Sequence, residues 1–204
     1  MSDRSMTVYG VSLAALLFCA GCVSSTIISY TDSQGITRDS KAGSAYNEGT
    51  KEMDADQYDS AITNLTKALT IDPTYFDAYV NRGLVFAILG QYDQAIADEN
   101  KAIELAPNDA NGYGSLALIL VSCPSEQYQD NAKALQLALK AVSLSPDDYE
   151  SLDSLACAYA ANGDFKNAIA TGQQAITLCP DGEKRDVYQQ QIAGFEQGKN
   201  IWQQ

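Results

Sequence analysis

The segment at residues 91–108, QYDQAIADENKAIELAPN, recurs with small changes at two other places in the chain. Residues 57–74 read QYDSAITNLTKALTIDPT, and residues 164–181 read DFKNAIATGQQAITLCPD. In each copy the apolar residues recur every three or four positions, which is typical of one face of an α-helix. A proline follows the last apolar residues, where a helix is expected to end. The pattern therefore predicts a chain built from one repeated helical unit.

Several columns of this repeat keep the same type of residue across four units. The proline column is Pro73, Pro107, Pro146 and Pro180. The two alanine columns are Ala61, Ala95, Ala134 and Ala168, and Ala68, Ala102, Ala141 and Ala175. The small-residue column is Gly49, Gly83, Ala117 and Ala156. Small residues let two helices approach closely where they cross, and Gly90 and Gly163 mark the turn between helices. Each unit is therefore predicted to be a helix–turn–helix hairpin that buries its apolar face by stacking on its neighbours.

These units resemble the tetratricopeptide repeat, and the resemblance covers residues 42–181. The fold class that it implies is all-α, an α-solenoid of four helix–turn–helix units at 42–75, 76–109, 110–148 and 149–181. The third unit departs from the pattern through an insertion, with the segment CPSEQYQD at residues 123–130 lying between its two helices. Residues 182–204 are predicted to form a C-terminal capping helix and tail, because Tyr188, Ile192 and Phe195 share one face.

The composition disfavours several classes of function. The formal net charge is −13 and the isoelectric point about 4.2, which disfavours binding to nucleic acid or to an anionic membrane surface. The chain has no histidine, so it lacks the commonest general base and the commonest metal ligand. We expect no catalytic residues, no metal site and no cofactor, and we expect that the protein is not an enzyme.

The N-terminus carries an apolar run at residues 11–20, VSLAALLFCA, which is too short to cross a bilayer. Its length fits the hydrophobic region of a secretory signal. The Ala20-Gly21-Cys22 sequence that follows resembles the lipobox of bacterial lipoproteins, although Cys19 stands where that family usually has leucine. The resemblance implies cleavage between Gly21 and Cys22 and lipidation of Cys22.

On this interpretation residues 1–21 are a signal peptide and residues 22–41 are a lipidated tether. Two other interpretations remain open: a plain signal or membrane-associating segment, and a Cys19/Cys22 thiol pair with redox or metal chemistry. Val23 follows the lipidated cysteine where an aspartate would commonly retain such proteins in the inner membrane. The expected location is the cell envelope, facing the periplasm, with the outer membrane favoured over the inner.

The resemblance to tetratricopeptide repeats implies a non-catalytic scaffold or adaptor whose partner is another envelope protein or peptide segment. The alternative is an accessory subunit or regulatory repeat module of an envelope enzyme complex. The first helix of each unit is expected to line a groove that holds the partner. The candidate groove residues are Tyr46, Thr50, Met53, Val80, Leu84, Ala87, Asn111, Leu118, Val121 and Asp153.

Three further cysteines, Cys123, Cys157 and Cys179, form an odd set in an exported protein. We interpret them as small buried apolar residues. A disulfide between two of them stays open at this point.

Overall fold

The computed structural model describes residues 30–31, 35–180 and 182–199. Nine helices lie within these residues: α1 (Ser40–Asp54), α2 (Tyr58–Ile71), α3 (Phe76–Ile88), α4 (Tyr92–Leu105), α5 (Ala110–Ser122), α6 (Asn131–Leu144), α7 (Tyr149–Ala161), α8 (Phe165–Leu178) and α9 (Gly182–Glu196). Two short strands precede them, β1 (Tyr30–Thr31) and β2 (Thr37–Arg38), which pair antiparallel with Tyr30 opposite Arg38 and Thr31 opposite Thr37. None of the described helices is both long and apolar enough to cross a membrane.

The predicted all-α class is confirmed, since eight of these helices form four helix–turn–helix units and a ninth follows them. Each column proline lies two residues beyond the end of the second helix of its unit, because proline cannot continue a helix. The turn between helices has a left-handed backbone at Gly90 (φ 73°) and Gly163 (φ 79°). Asp56 occupies the same position in the first unit with φ 58°, a conformation that aspartate tolerates better than most residues.

The inserted segment of the third unit lies between α5 and α6, as the sequence predicts. The helix α5 ends just before Cys123 and Pro124. The loop is held to the end of α5 by a hydrogen bond from the Gln129 side-chain amide to the Cys123 carbonyl at 2.8 Å. The ring of Tyr128 packs on the ring of Tyr92 at the start of α4, with 5.6 Å between the centroids. The longer connection is therefore an ordered part of the repeat.

The chain divides into two compact units, with the boundary between Asn81 and Arg82 inside α3. The core of the first unit is built by α1, α2 and the start of α3, around residues such as Leu65 and Tyr75. In the second unit α5 packs against α4, α6 and α7, and α8 packs against α7 and α9. The main core of this second unit includes Leu116, Leu120 and Phe195.

The C-terminal helix has the predicted buried face. Tyr188, Ile192 and Phe195 on α9 are all buried. Ile192 fits over Gly172 of α8, where an added Cβ would lie only 3.0 Å from Ile192 Cγ1. Because Gly172 has no side chain, Ile192 of α9 can pack directly against α8 at this position.

The segment predicted as a tether is folded at its C-terminal end, which corrects the tether boundary for residues 35–41. Arg38 on β2 is only 6% exposed, and its Nη1 donates to Asp72 Oδ2 at 2.9 Å and to Thr74 Oγ1 at 2.7 Å. The guanidinium also lies over the ring of Tyr75, 5.1 Å from its centroid. Burial alone would raise the pKa of Asp72, but hydrogen bonds from Thr74 and the nearby Arg38 lower it. These contacts of Arg38 hold the β1–β2 hairpin against the C-terminal end of α2.

The three cysteines of the repeats are buried and take part in no disulfide among the described residues, with Cys157 fully buried and Cys123 and Cys179 nearly so. This agrees with their interpretation as small core residues. The ten-residue apolar run, Gly21 and Cys22 lie outside the described residues, and so does the tail beyond Lys199.

Candidate partner-binding face

In the first unit, the candidate residues of α1 belong to a hydrogen-bonded cluster. The Asn81 side-chain amide donates to Tyr46 Oη at 3.2 Å and to Thr50 Oγ1 at 3.1 Å. The Thr50 hydroxyl also donates to the Tyr46 carbonyl at 3.0 Å. Tyr46 packs its ring on Tyr75, with 4.7 Å between centroids. Tyr46 and Thr50, like Met53, are only half-buried, so part of this surface is still open to a partner.

Two predicted groove residues are core residues, and the prediction is wrong for them. Val80 is 6% exposed and Val121 is 2% exposed. Val121 is buried because α5 packs against three other helices and is apolar around most of its circumference, so its periodicity does not single out one face. Val80 lies at the end of the segment YFDAYV, in which four of six residues are buried. Neither valine offers surface to a partner.

In the second unit, the remaining candidates keep exposed surface. Leu84 and Ala87 on α3 are half-buried, and Asn111 at the start of α5 is exposed. Leu118 packs partly on the core but stays half-buried. Leu84 and Leu118 are 34 residues apart and therefore occupy the same position in successive repeats. We call the set Leu84, Ala87, Asn111, Leu118 and Asp153 the candidate face.

Asp153 on α7 is the charged member of the candidate face. Burial raises its pKa to about 7, and the negative charge of Glu150 adds to this effect, whereas a weak hydrogen bond from the Cys157 thiol opposes it. The Cys157 Sγ lies 3.9 Å from Asp153 Oδ1. Near neutral pH this carboxyl is divided between its two protonation states, and a cation placed beside it would favour the ionised one.

The charges beside Asp153 are tied to the C-terminal helix. Glu150 accepts a hydrogen bond from Lys184 Nζ on α9 at 2.7 Å, and this bond raises the pKa of the lysine. The Lys184 ammonium also lies 5.4 Å from the ring centroid of Tyr149. The Tyr149 and Tyr188 rings pack together at 6.4 Å, and burial raises the pKa of Tyr188. This end of the candidate face is therefore acidic and aromatic.

Several polar residues shape the repeats through contacts that the sequence does not predict. Arg82 on α3 binds both carboxylate oxygens of Asp98 on α4, from Nε at 2.7 Å and from Nη2 at 2.8 Å. Glu99, the residue that follows Asp98 on α4, is fully buried. The only sequence signal for Glu99 is its position, 34 residues after Leu65, in an otherwise small or apolar column. No group of three His, Cys, Asp or Glu residues that could hold a metal ion occurs among the described residues.

Models of the tetratricopeptide-repeat family match most of the helical region. A model described as TPR repeat matches residues 49–88, and two described as tetratricopeptide repeat match residues 76–109 and 125–183. The matched ranges together cover more than half of the chain. The protein therefore belongs to the tetratricopeptide-repeat proteins, a class whose repeats bind protein or peptide partners.

Solved structures share this fold at low sequence identity. A chain of the Cut9–Hcn1 hetero-tetramer of the APC/C is 20% identical with a TM-score of 0.69, over 77% of this chain and 30% of that one. The protein TTC0263 of Thermus thermophilus, described as a thermophilic TPR protein, is 20% identical with a TM-score of 0.66, over 76% and 81%. The O-GlcNAc transferase of Thermobaculum terrenum is 19% identical with a TM-score of 0.59, over 67% and 26%. No curated protein matches the sequence significantly.

Proposed function

We propose that this protein is a non-catalytic adaptor of the bacterial cell envelope, which holds a segment of another envelope protein on its candidate face. The observation that carries the proposal is the pair Leu84 and Leu118, which are apolar, only half-buried and at the same position of successive repeats. An apolar surface that continues from one repeat to the next is typical of a binding site for a helical or extended peptide segment. The absence of histidine from the sequence supports a role without acid–base catalysis.

The charge of the protein limits the chemistry of the partner. With a net charge of −13, the chain repels acidic proteins and attracts basic ones. On the candidate face, burial and the negative charge of Glu150 disfavour ionisation of Asp153 and raise its pKa. A lysine or arginine of the partner beside Asp153 would favour the ionised carboxylate and pair with it. We therefore propose a partner segment that combines apolar side chains with at least one basic side chain.

We further propose that a lipid on Cys22 attaches the protein to the membrane, with the outer membrane favoured. Support comes from the short apolar run followed by Ala20-Gly21-Cys22. The described fold begins at Tyr30, eight residues after Cys22. Eight residues span at most about 29 Å whatever their conformation. The repeats would then lie close to the membrane surface, where an envelope partner is within reach.

The lipid anchor predicts a change of location for the variant Cys22→Ser. This variant is expected to lose incorporation of a labelled fatty acid and to move from the membrane fraction to the soluble fraction, because the acyl chains supply the membrane affinity. Membrane fractionation with fatty-acid labelling provides the measurement.

Cys19→Ser is the matched control, since it removes the neighbouring thiol without removing the proposed lipidation site, and it should stay anchored. A Cys22→Ser protein that is processed and anchored like the wild type would refute the lipid anchor.

A second function has a specific observation in its favour. The O-GlcNAc transferase chain is matched over only 26% of its length, so a similar fold also occurs as part of a larger enzyme chain. The present protein would then be an accessory subunit of an envelope enzyme complex. Capture of the tagged protein from solubilised envelopes distinguishes the two, because only an accessory subunit co-purifies with an enzyme whose turnover depends on its presence.

A further inference from the structure

A carboxyl group lies in the core of the second unit. Glu99, in the middle of α4, is 0% exposed, and neither of its carboxyl oxygens has a hydrogen-bond partner. In the first repeat the same position holds Leu65, which is also 0% exposed. The same position is thus fully buried in both repeats, with an apolar side chain in the first and an ionisable one in the second. An isolated carboxylate in such a place is strongly disfavoured relative to the neutral acid.

The carboxyl group lies against α3 beside Gly83. A Cβ added at Gly83 would lie 2.8 Å from Glu99 Oε1 and 3.3 Å from the Ala95 carbonyl oxygen. The Glu99 carboxyl group thus occupies the space that a side chain at position 83 would need. Both carboxyl oxygens are buried from solvent, so an ionised carboxylate would lack hydrogen-bond donors from water in this closed arrangement.

The surrounding charges do not compensate a negative charge on Glu99. Asp98, its neighbour on α4, is itself acidic, and the Arg82 guanidinium on α3 already holds both oxygens of Asp98. The helix α5, which also packs against α4, contains no Asp, Glu, Lys or Arg, and its one titratable side chain is Tyr113. Burial, with a smaller contribution from Asp98, raises the pKa of Glu99 well above its ordinary value.

We propose that the contact between α3 and α4 is a pH-sensitive joint, which is closed while Glu99 is protonated and opens when this buried carboxyl ionises. The physical reason is that an ionised Glu99 can gain hydrogen bonds only if the helices separate enough to admit water. The half of α3 after Arg82 carries Leu84 and Ala87, so opening of the joint would disturb the candidate face. Neither anchoring nor the identity of a partner enters this inference.

The sign of the effect follows from the raised pKa in the closed state. An open or unfolded Glu99 ionises above about pH 4.3, whereas the closed state keeps its proton to higher pH. The closed state is therefore fully favoured below that pH, and it loses stability as the pH rises towards the raised pKa. Between the two pKa values, the equilibrium constant for opening should increase about tenfold for each pH unit.

The test compares the full-length wild-type protein with Glu99→Gln, which keeps the shape and cannot ionise. Hydrogen exchange of peptides from α3 and α4, corrected for the intrinsic effect of pH on exchange, is measured between about pH 5 and pH 8. The wild type should show opening that rises steeply with pH, whereas the Glu99→Gln protein should show a flat profile. Peptides from α7 and α8 serve as an internal reference for pH effects elsewhere, including that of Asp153.

Two further variants keep the test decisive. Glu99→Leu places the residue of the first repeat at this site, and it should also give a flat profile even if the glutamine variant folds poorly. Glu104→Gln removes a charge from the same helix at an exposed position and should behave like the wild type. A wild-type profile that is flat, or that stays equally steep in the Glu99 variants, would overturn the proposal.

Discussion

Leu65→Ala is expected to lower the free energy of unfolding by about 2–5 kcal/mol, because Leu65 on α2 is fully buried against α1 and its loss leaves a cavity. Gly49→Ala is expected to cost about 1–3 kcal/mol on its own, since its new Cβ would lie 2.8 Å from Leu65 Cγ. The double variant should be more stable than the sum of the two losses predicts, because the added methyl group occupies part of the cavity. Urea unfolding of the four proteins measures the coupling, which we expect to reach about 0.5–3 kcal/mol.

The residues at these two positions in the other repeats are the reason for expecting that Gly49→Ala and Leu65→Ala compensate each other. The position of Gly49 is taken by Ala117 in the third repeat and Ala156 in the fourth, and the position of Leu65 is taken there by Ala138 and Gly172. A large residue on the second helix thus accompanies glycine on the first, and small residues accompany alanine. Leu139→Ala is a matched control, because Leu139 is 45% exposed and should lose little. Strictly additive losses at Gly49 and Leu65 would contradict the proposed packing.

Ala95→Leu and Ala168→Leu are each expected to lower the free energy of unfolding by about 1–3 kcal/mol, because both alanines are 0% exposed at helix contacts. For a chain of this size, each kcal/mol corresponds to a fall in Tm of roughly 2–4 °C. Ala97→Leu makes the same change at an exposed position of α4 and should be nearly neutral. If Ala95→Leu melted with the wild type, the helix register described above would be incorrect.

Much of the fold could be predicted because the same residue types recur at the same positions in several repeats. A single alanine such as Ala61 says little about the fold. Its recurrence at the same position of the other repeats, as Ala95, Ala134 and Ala168, indicates that each repeat has a close helix contact there. Proline and glycine restrict the backbone locally, so the ends of the helices follow from neighbouring residues alone. Both kinds of evidence depend on short-range geometry, which sequence spacing reflects directly.

Other features could not be predicted because they depend on contacts between distant residues. Arg38 stands in a polar segment without periodicity, and only the folded chain brings it within 2.9 Å of Asp72. In the sequence, Glu99 resembles the other acidic residues of a charged helix. Only the folded chain places its side chain beside Gly83 of α3. Periodicity alone cannot show how many sides of a helix are covered, so it assigns Val80 and Val121 to the groove although both are buried.

The most direct test of the adaptor proposal is co-purification of the partner with the double variant Leu84→Glu/Leu118→Glu. Tagged wild type, this variant and the control Leu139→Glu, which charges an exposed leucine on α6, are recovered from solubilised envelopes, and bound proteins are quantified by mass spectrometry. Circular dichroism and Tm establish that each protein is folded. We expect the double variant to keep its helicity and Tm but to lose a partner that the wild type and the control both retain. A folded double variant that still binds this partner would contradict it, and an unfolded one would show that the two leucines belong to the core.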